Sequence, residues 1–512
     1  TPHTPPRSWS EAGDDQTSWG GLMERQIRQV AVVLLVAFIA LFIQLNYIQI
    51  FAAERIAGNP ANVRALLQEY SIRRGDIVTY DGVRVAHSKA THQKLKFVRT
   101  YPQGELYGQI TGFYSILYGA DRIESSYNDQ LLGRNSTLSM QDIQDRFLGG
   151  GQQGDDIRLT INSKLQEAAR AALGSNRGAI VAIEPHTGQV KALWSNPSFD
   201  PGPLASHDGK TERRYYNSIN GSCPTSKLCD LATSYGYPPG STFKIVTATA
   251  ALDSGKYTPN SKFPDPNPLV LPQTPQTLTN FTHTACQGGV PITFFTAITI
   301  SCDTTFAILG LRIPGDIYTY AQRYGFNQPL PFDIPTQSSS YPRIGKNNRP
   351  FQAYDAIGQG NTRATPLQMA EVAATVADGG VEPRPQLVYQ VIDPRGGIVR
   401  GYQSADLGRV MSPQTSSELT KMMESVVQKG TGTAAQIPGV QVAGKTGTAQ
   451  TGIQGTNPHT WFICFAPAND PKIAIAVLVE HGGTFGSEAT GGAVAAPLAK
   501  QILEADRKIA GW

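Results

Sequence analysis

Charge is scarce in this chain. Asp, Glu, Lys and Arg make up 16% of its 512 residues, below the usual quarter of a globular sequence. The net charge is +4, and the basic residues are dispersed without a basic run or a basic helix face, which leaves nucleic-acid binding without support. Cysteine is sparse as well. The five cysteines form no C-x-x-C pair, the eight histidines are scattered, and H-E-x-x-H does not occur, so a metal centre is not expected. No internal repeat is present. The glycine-rich run Gly149–Gly154 is neither led by a strand nor followed by Lys-Ser/Thr; it is no phosphate loop and reads as a linker. Neither a cofactor nor a metal is predicted.

Long apolar runs are absent apart from one. Residues 30–50 begin with the wholly apolar stretch Val30 to Ile43, interrupted afterwards by Gln44, Asn46 and Gln49. Twenty-one helical residues reach ~31 Å, the thickness of a bilayer core. A cleaved signal peptide is the rival reading, but Phe51-Ala52-Ala53 is a poor cleavage site. A single transmembrane anchor is therefore predicted, with Arg25 and Arg28 favouring a cytoplasmic N-terminus. The three amides either sit at the interface or bond a neighbouring membrane helix, since polar groups in lipid need partners. Residues 1–29 read as a cytoplasmic tail. Its first 22 residues are rich in Pro, Ser, Thr and Asp and are expected to be disordered, with Met23 as the natural start.

Outside the anchor, residues 51–154 alternate short strands with loops. Ser71 to Val83 reads as a strand ending in an Asp81-Gly82 turn, then a second strand. Further on, Leu165, Ala168, Ala169, Ala172 and Leu173 recur at helical spacing and predict a helix over 162–173. Ala179–Ile183 and Val190–Trp194 flank a Pro-His-Thr-Gly turn and predict a hairpin. The segment from Ser241 to about Ser254 is apolar nearly all round, as a helix at the centre of a domain would be. Three strands (442–449, 461–466 and 473–479) and a helix over 495–505 close the chain. Hairpins at both ends with helices between them predict an α+β domain over 155–512.

Three short motifs carry the chemistry. Tyr237-Pro238-Pro239-Gly240 breaks structure and places Ser241 in the first turn of the buried helix. Lys244 follows on the same face. Burial and the positive helix end both disfavour its ammonium, so a neutral Lys244 can take the proton that makes Ser241 a nucleophile. Ser301 of Ser301-Cys302-Asp303 can relay that proton to a departing amine. Lys445-Thr446-Gly447 reads as an edge strand at a cleft. Lys445, Thr446 and Thr448 offer a charge and hydroxyl donors to a carboxylate, and Gly447 would let a substrate backbone approach. The backbone N–H groups of Ser241 and Thr448 are candidate oxyanion donors. In this order the motifs match the S-x-x-K, S-D-N and K-T-G set of serine acyl-transfer sites.

With these motifs the chain resembles class B penicillin-binding proteins, and most of all the PbpA-type enzymes. The resemblance runs from Met23 onward. It includes Arg74-Gly75-Asp76-Ile77, Asp81-Gly82 and Tyr101-Pro102 to Gly133, then Thr187-Gly188, Pro197-Ser198-Phe199-Asp200-Pro201, Gly358-Gln359-Gly360, Ala364-Thr365-Pro366 and Lys445 to Ala449. It implies a membrane anchor, a small β-rich pedestal or dimerisation-like domain over 51–154, and a serine β-lactamase-like transpeptidase domain over 155–512. The implied activity is D,D-transpeptidation outside the cytoplasmic membrane. Ser241 would be acylated by a stem peptide with release of D-alanine, and β-lactams would acylate the same serine. The resemblance also implies a SEDS-family glycosyltransferase as a membrane partner.

One position departs from the family pattern, which has asparagine where Asp303 stands. An ionised aspartate only accepts hydrogen bonds, and it would favour the ammonium form of Lys244 and Lys445. Either effect slows acylation. Two alternatives follow: a weakly active or non-catalytic scaffold for the glycosyltransferase, or a β-lactam hydrolase or sensor. Against hydrolysis, the middle motif is not the serine-x-valine of class D β-lactamases, and no Glu-x-x-x-Asn deacylating segment of class A lies between it and Lys445. Among the cysteines, Cys223 with Cys229 and Cys286 with Cys302 are each a possible disulfide in an oxidising compartment. Cys464 reads as a buried, unreactive thiol.

Overall fold

The computed structural model describes residues 17–47, 67–134, 153–343, 345 and 347–512. The anchor segment is one helix, Thr17–Tyr47, and its apolar part, Ile27–Tyr47, is wholly unburied within the chain. The helix also takes in Thr17–Leu22, part of the tail expected to be disordered. Extending an existing helix costs far less than nucleating one, so polar residues next to a long apolar helix join it. Thr1–Gln16 and Ile48–Ile50 lie outside the described residues. Asn46 Nδ2 donates to Phe42 O at 2.8 Å, which satisfies one of the three amides within the helix itself.

Tyr70–Trp512 forms a separate unit. It contains a mixed six-stranded sheet in the order Ile398–Arg400, Val388–Ile392, Asp156–Leu159, Ile77–Val78, Arg84–Ala90, Phe97–Thr100. The Thr79-to-Gly82 turn forms as the Asp-Gly signal predicts, with Gly82 at φ +87°. Asp156–Leu159 runs parallel to Ile77–Val78 and antiparallel to Val388–Ile392. The sheet thus crosses the boundary expected at residue 154. Gly154 is no free linker: its N–H donates to Arg73 O at 2.9 Å, and a Cβ there would lie 1.7 Å from Leu131 O. The remainder of the glycine run, 149–152, lies outside the described residues. At the base of this region Glu124, fully buried, accepts from Arg74 Nε and Arg99 Nε, each at 2.6 Å.

The second sheet is antiparallel and five-stranded, in the order Ala443–Ala449, His459–Ala466, Ile473–Val479, Gly178–Ile183, Val190–Asn196. Strands from both ends of the chain therefore pair, as the hairpin signals predict. Ile473–Val479 is buried at every position, as a strand covered on both faces must be. The helices Ser163–Leu173 and Ala495–Ala510 pack on each other against this sheet, and Pro366–Ala377 and Pro413–Lys429 also pack on it. Asn162 caps the first of these through Lys164 N and Leu165 N. The sheet leaves Ala443–Ala449 as an edge, and against that edge packs the turn that carries Ser241.

Candidate acyl-transfer site

The Ser241 turn is fixed from several directions. Gly240 has φ +54°, a conformation that favours glycine, and a Cβ there would lie 2.9 Å from Thr448 O. The N–H of Gly240 donates to Gly358 O at 2.9 Å. Upstream, Pro238 O accepts from Trp461 Nε1 at 2.9 Å. Tyr237 pairs its backbone with Ala364, and its hydroxyl donates to the Glu480 carboxylate, which Arg177 holds at 2.7 Å. Gly240–Phe243 is a 3-10 turn, and the α-helix begins at Lys244 and runs to Asp253. Ser241 therefore sits in a 3-10 turn that runs without a break into the α-helix. Nine of the ten residues from Lys244 to Asp253 are buried, in keeping with their apolar sequence.

Two buried lysines converge on one hydroxyl. Lys244 Nζ donates to Ser301 O at 2.8 Å and Asp303 Oδ1 at 2.7 Å, and lies 3.4 Å from Ser301 Oγ. Lys445 Nζ donates to Ser301 Oγ at 2.8 Å and to Thr446 O at 2.9 Å. Burial lowers the Lys244 pKa, and the Asp303 carboxylate opposes that shift without cancelling it. The Lys445 pKa falls well below the ordinary lysine range, first through burial and then through the charge of Lys244. Ser301 sits at φ +61°, a left-handed conformation that costs a serine on the order of 1–3 kcal/mol. The strain aims its hydroxyl between the two amines.

Asp303 is the first residue of the helix Asp303–Arg312, where the helix dipole favours a carboxylate. Its second oxygen accepts from Phe281 N at 3.2 Å. The helix N-cap, Cys302, has no capping side chain. A remote residue does that work: Asn280 Oδ1 accepts from Asp303 N and Thr304 N at 3.0 and 3.1 Å. Cys286 and Cys302 form a disulfide with Cα atoms 5.9 Å apart, as do Cys223 and Cys229 at 5.4 Å. Cys464 is free and buried.

On the edge strand the residues divide between two faces. Lys445 turns toward Ser301. Thr446 is buried, and its hydroxyl pairs with that of Thr431 at 2.6 Å. Thr448 Oγ1 accepts from Gly491 N at 3.2 Å. A Cβ on Gly447 would lie 2.9 Å from Thr242 Cγ2 and 3.0 Å from Pro239 O. The glycine thus makes room for the Ser241 turn. Thr448 O faces Gly240 and Gln359 Nε2. Because a strand residue's N–H and C=O point to the same side, the Thr448 N–H lies on that same outer edge. Thr431, Asn280, Glu480 and Gln359 carry no local signal that sequence reading could have used, apart from the Gly358-Gln359-Gly360 resemblance.

A serine beside a buried lysine, a second serine between two lysines, and an edge strand alongside define a serine acyl-transfer site on an α+β scaffold. Residues 178–504 match the family model for the penicillin binding protein transpeptidase domain, and residues 74–157 match that for the penicillin binding protein A dimerisation domain. The chain belongs to the penicillin-binding protein transpeptidase family. Within it, the chain is similar to proteins named peptidoglycan D,D-transpeptidase PbpA. The Mycobacterium tuberculosis protein is 37% identical over 497 residues, covering 94% of this chain and 99% of the relative. The Mycolicibacterium smegmatis protein is 37% identical over 491 residues, with the same coverage. Penicillin-binding protein A from M. tuberculosis, solved as a ceftriaxone acyl-enzyme complex, has a TM-score of 0.81 at 36% identity, covering 86% of this chain and 99% of that one. Its penicillin G acyl-enzyme complex has a TM-score of 0.79 at 36% identity, covering 85% and 99%.

Proposed function

We propose that the protein is a peptidoglycan D,D-transpeptidase working through a Ser241 acyl-enzyme, and a covalent target of β-lactams. The observation that carries this reading is Ser301 Oγ between Lys244 Nζ and Lys445 Nζ, with Ser241 three residues before Lys244. A neutral Lys244 accepts the Ser241 hydroxyl proton as Oγ attacks the penultimate D-alanine carbonyl. The N–H groups of Ser241 and Thr448 receive the developing oxyanion. Ser301, held by Lys445, passes the proton to the departing amine. The C–N bond breaks, D-alanine leaves, and an acceptor amine of a neighbouring stem peptide resolves the ester into a cross-link. The substrate carboxylate is received by the Thr446 and Thr448 hydroxyls, with the charge of Lys445 on the other face of the strand.

The anchor and the small N-terminal domain extend the reading. The catalytic unit stands outside the cytoplasmic membrane, with the N-terminus in the cytoplasm behind Arg25 and Arg28. A SEDS-family glycosyltransferase supplies the nascent strand beside it. Support for that partner comes from the family resemblance and from the amide-bearing end of the anchor. The ion pair between Asp303 and Lys244 favours a second reading, a slow enzyme whose main role is to organise that glycosyltransferase. A gel with fluorescent penicillin, wild type beside Ser241→Ala, tests the first reading. It expects a single labelled band that the variant loses, and a band of equal intensity in the variant would overturn it.

A further inference from the structure

The loop that meets the Ser241 turn is built around a buried acid. Asp355, near the end of the helix Arg349–Ala356, has no exposed surface. Its Oδ1 accepts from Asn361 N at 2.7 Å, Thr362 N at 3.0 Å and Thr362 Oγ1 at 3.0 Å. Its backbone carbonyl accepts from Gly358 N at 3.0 Å. A Cβ on Gly360 would lie 2.7 Å from that same Oδ1, so the loop closes tightly over the carboxylate. Oδ2 is buried without a hydrogen-bond partner. Removing a carboxylate from water and satisfying only one of its oxygens is unfavourable for folding alone.

The loop so gathered reaches the peptide that carries the proposed Ser241 oxyanion donor. Gly358 O accepts from Gly240 N at 2.9 Å, and a Cβ on Gly358 would lie 2.1 Å from Gly240 O. The peptide joining Gly240 to Ser241 is therefore pressed on its carbonyl side by Gly358. In a trans peptide the N–H points opposite to the C=O, so this contact aims the Ser241 N–H away from the loop. Gln359 Nε2 also reaches the edge strand, at Thr448 O, 3.5 Å away. The same helix also touches the helix that follows Ser241, through Thr247 Oγ1 and Ala356 O at 2.7 Å.

We infer that Asp355 is a positioning residue for acyl transfer: its carboxylate shapes the Gly358-Gln359-Gly360 loop, and the loop sets the backbone N–H of Ser241. The inference rests on Ser241 being the nucleophile. Asp355 never meets substrate; it acts through the loop. Its titratable and charged neighbours are few. Arg363, which donates to Gly360 O and Thr362 O, favours the carboxylate, and the buried Tyr341 feels its charge. Burial pushes the Asp355 pKa up to about 6. The centre of the loop thus gains its charge as pH rises through that value.

The test is the second-order rate of acylation by fluorescent penicillin, measured from pH 5 to 8 on the full-length protein in detergent. Wild type, Asp355→Asn and Ser241→Ala are compared, with melting temperatures recorded alongside. Misplacing a donor by about 1 Å costs up to roughly 100-fold, and the isosteric Asp355→Asn is expected to lose about tenfold at pH 7.5. It should also lose the acid limb near pH 6 that wild type shows. Wild-type rates in Asp355→Asn, or an unchanged acid limb, would overturn the inference. So would a loss that only tracks unfolded protein while the wild-type rate stays flat from pH 5 to 7. Label retained by Ser241→Ala would instead bring down the nucleophile reading on which it rests.

Discussion

Lys244 Nζ and Asp303 Oδ1 stand 2.7 Å apart, the lysine side chain fully buried and the carboxylate partly exposed. Two opposed effects meet in this pair. Burial drives Lys244 toward the neutral base that acylation needs, while Asp303 holds it toward the ammonium. The family pattern has an asparagine at 303, which has no charge to contribute.

Replacing Asp303 by Asn should therefore ease Lys244 deprotonation. The aspartate raises the Lys244 pKa, so its removal lowers that value, and the rising limb of acylation against pH moves to lower pH. A shift of one unit means about tenfold faster acylation on the acid side of the limb. Stopped-flow labelling with a fluorescent penicillin across pH 5 to 9, in an Asp355→Asn background that removes the separate step near pH 6, reads this directly. An unmoved limb would remove Asp303 from the control of Lys244.

Gly447→Ala brings a Cβ within 2.9 Å of Thr242 Cγ2 and 3.0 Å of Pro239 O. One of these neighbours is backbone, so the Ser241 turn must shift. Acylation is expected to fall by about 10- to 100-fold with a much smaller loss in melting temperature. The same rates measured against penicillin concentration would show the loss in the bond-forming step.

Where the sequence signal was local, it pointed to what the structure contains. The spacing of Leu165, Ala169 and Leu173 gave the helix Ser163–Leu173, and the Pro-His-Thr-Gly turn gave its hairpin. The three motifs converge because their order fits a single antiparallel sheet with a buried helix beside it. What escaped were single polar residues whose partners lie far along the chain. Asn280 caps a helix 23 residues on, and Glu480 grips Tyr237 from 243 residues away. Glycine misled at Gly154. In sequence, a glycine chosen for close packing looks the same as one chosen for flexibility or substrate access.

The buried group Arg74, Glu124 and Arg99 gives a stability prediction. Burial alone would raise the Glu124 pKa, but Arg99 and Arg74 outweigh it and hold the carboxyl below its usual range. Its contribution is present above the unfolded value near 4.5 and is lost as pH falls through the folded value. Glu124→Ala leaves two buried guanidinium groups without that partner and is expected to cost about 3–5 kcal/mol. Urea unfolding at pH 7 measures the difference, and a cost below about 1 kcal/mol would contradict it.

Glu382 behaves in the opposite sense. It is buried beside Glu371, its Oε1 has no partner, and burial pushes its pKa up to about 8. The folded chain keeps a proton that the unfolded chain releases near pH 4.5, so stability falls as pH rises from there to about 8. Glu382→Gln should leave the melting temperature near wild type at pH 5 and raise it at pH 8, by on the order of 1–3 kcal/mol of stability. Differential scanning calorimetry at the two pH values separates these outcomes.

The central claim is that Ser241 carries an acyl group from one stem peptide to an amine of another. The direct measurement supplies the full-length protein with uncross-linked glycan strands bearing pentapeptide stems, then quantifies free D-alanine and cross-linked muropeptide dimers together. The account predicts that both products form in matched amounts and that Ser241→Ala yields neither. D-alanine released without dimers, or dimers formed equally by the variant, would contradict it.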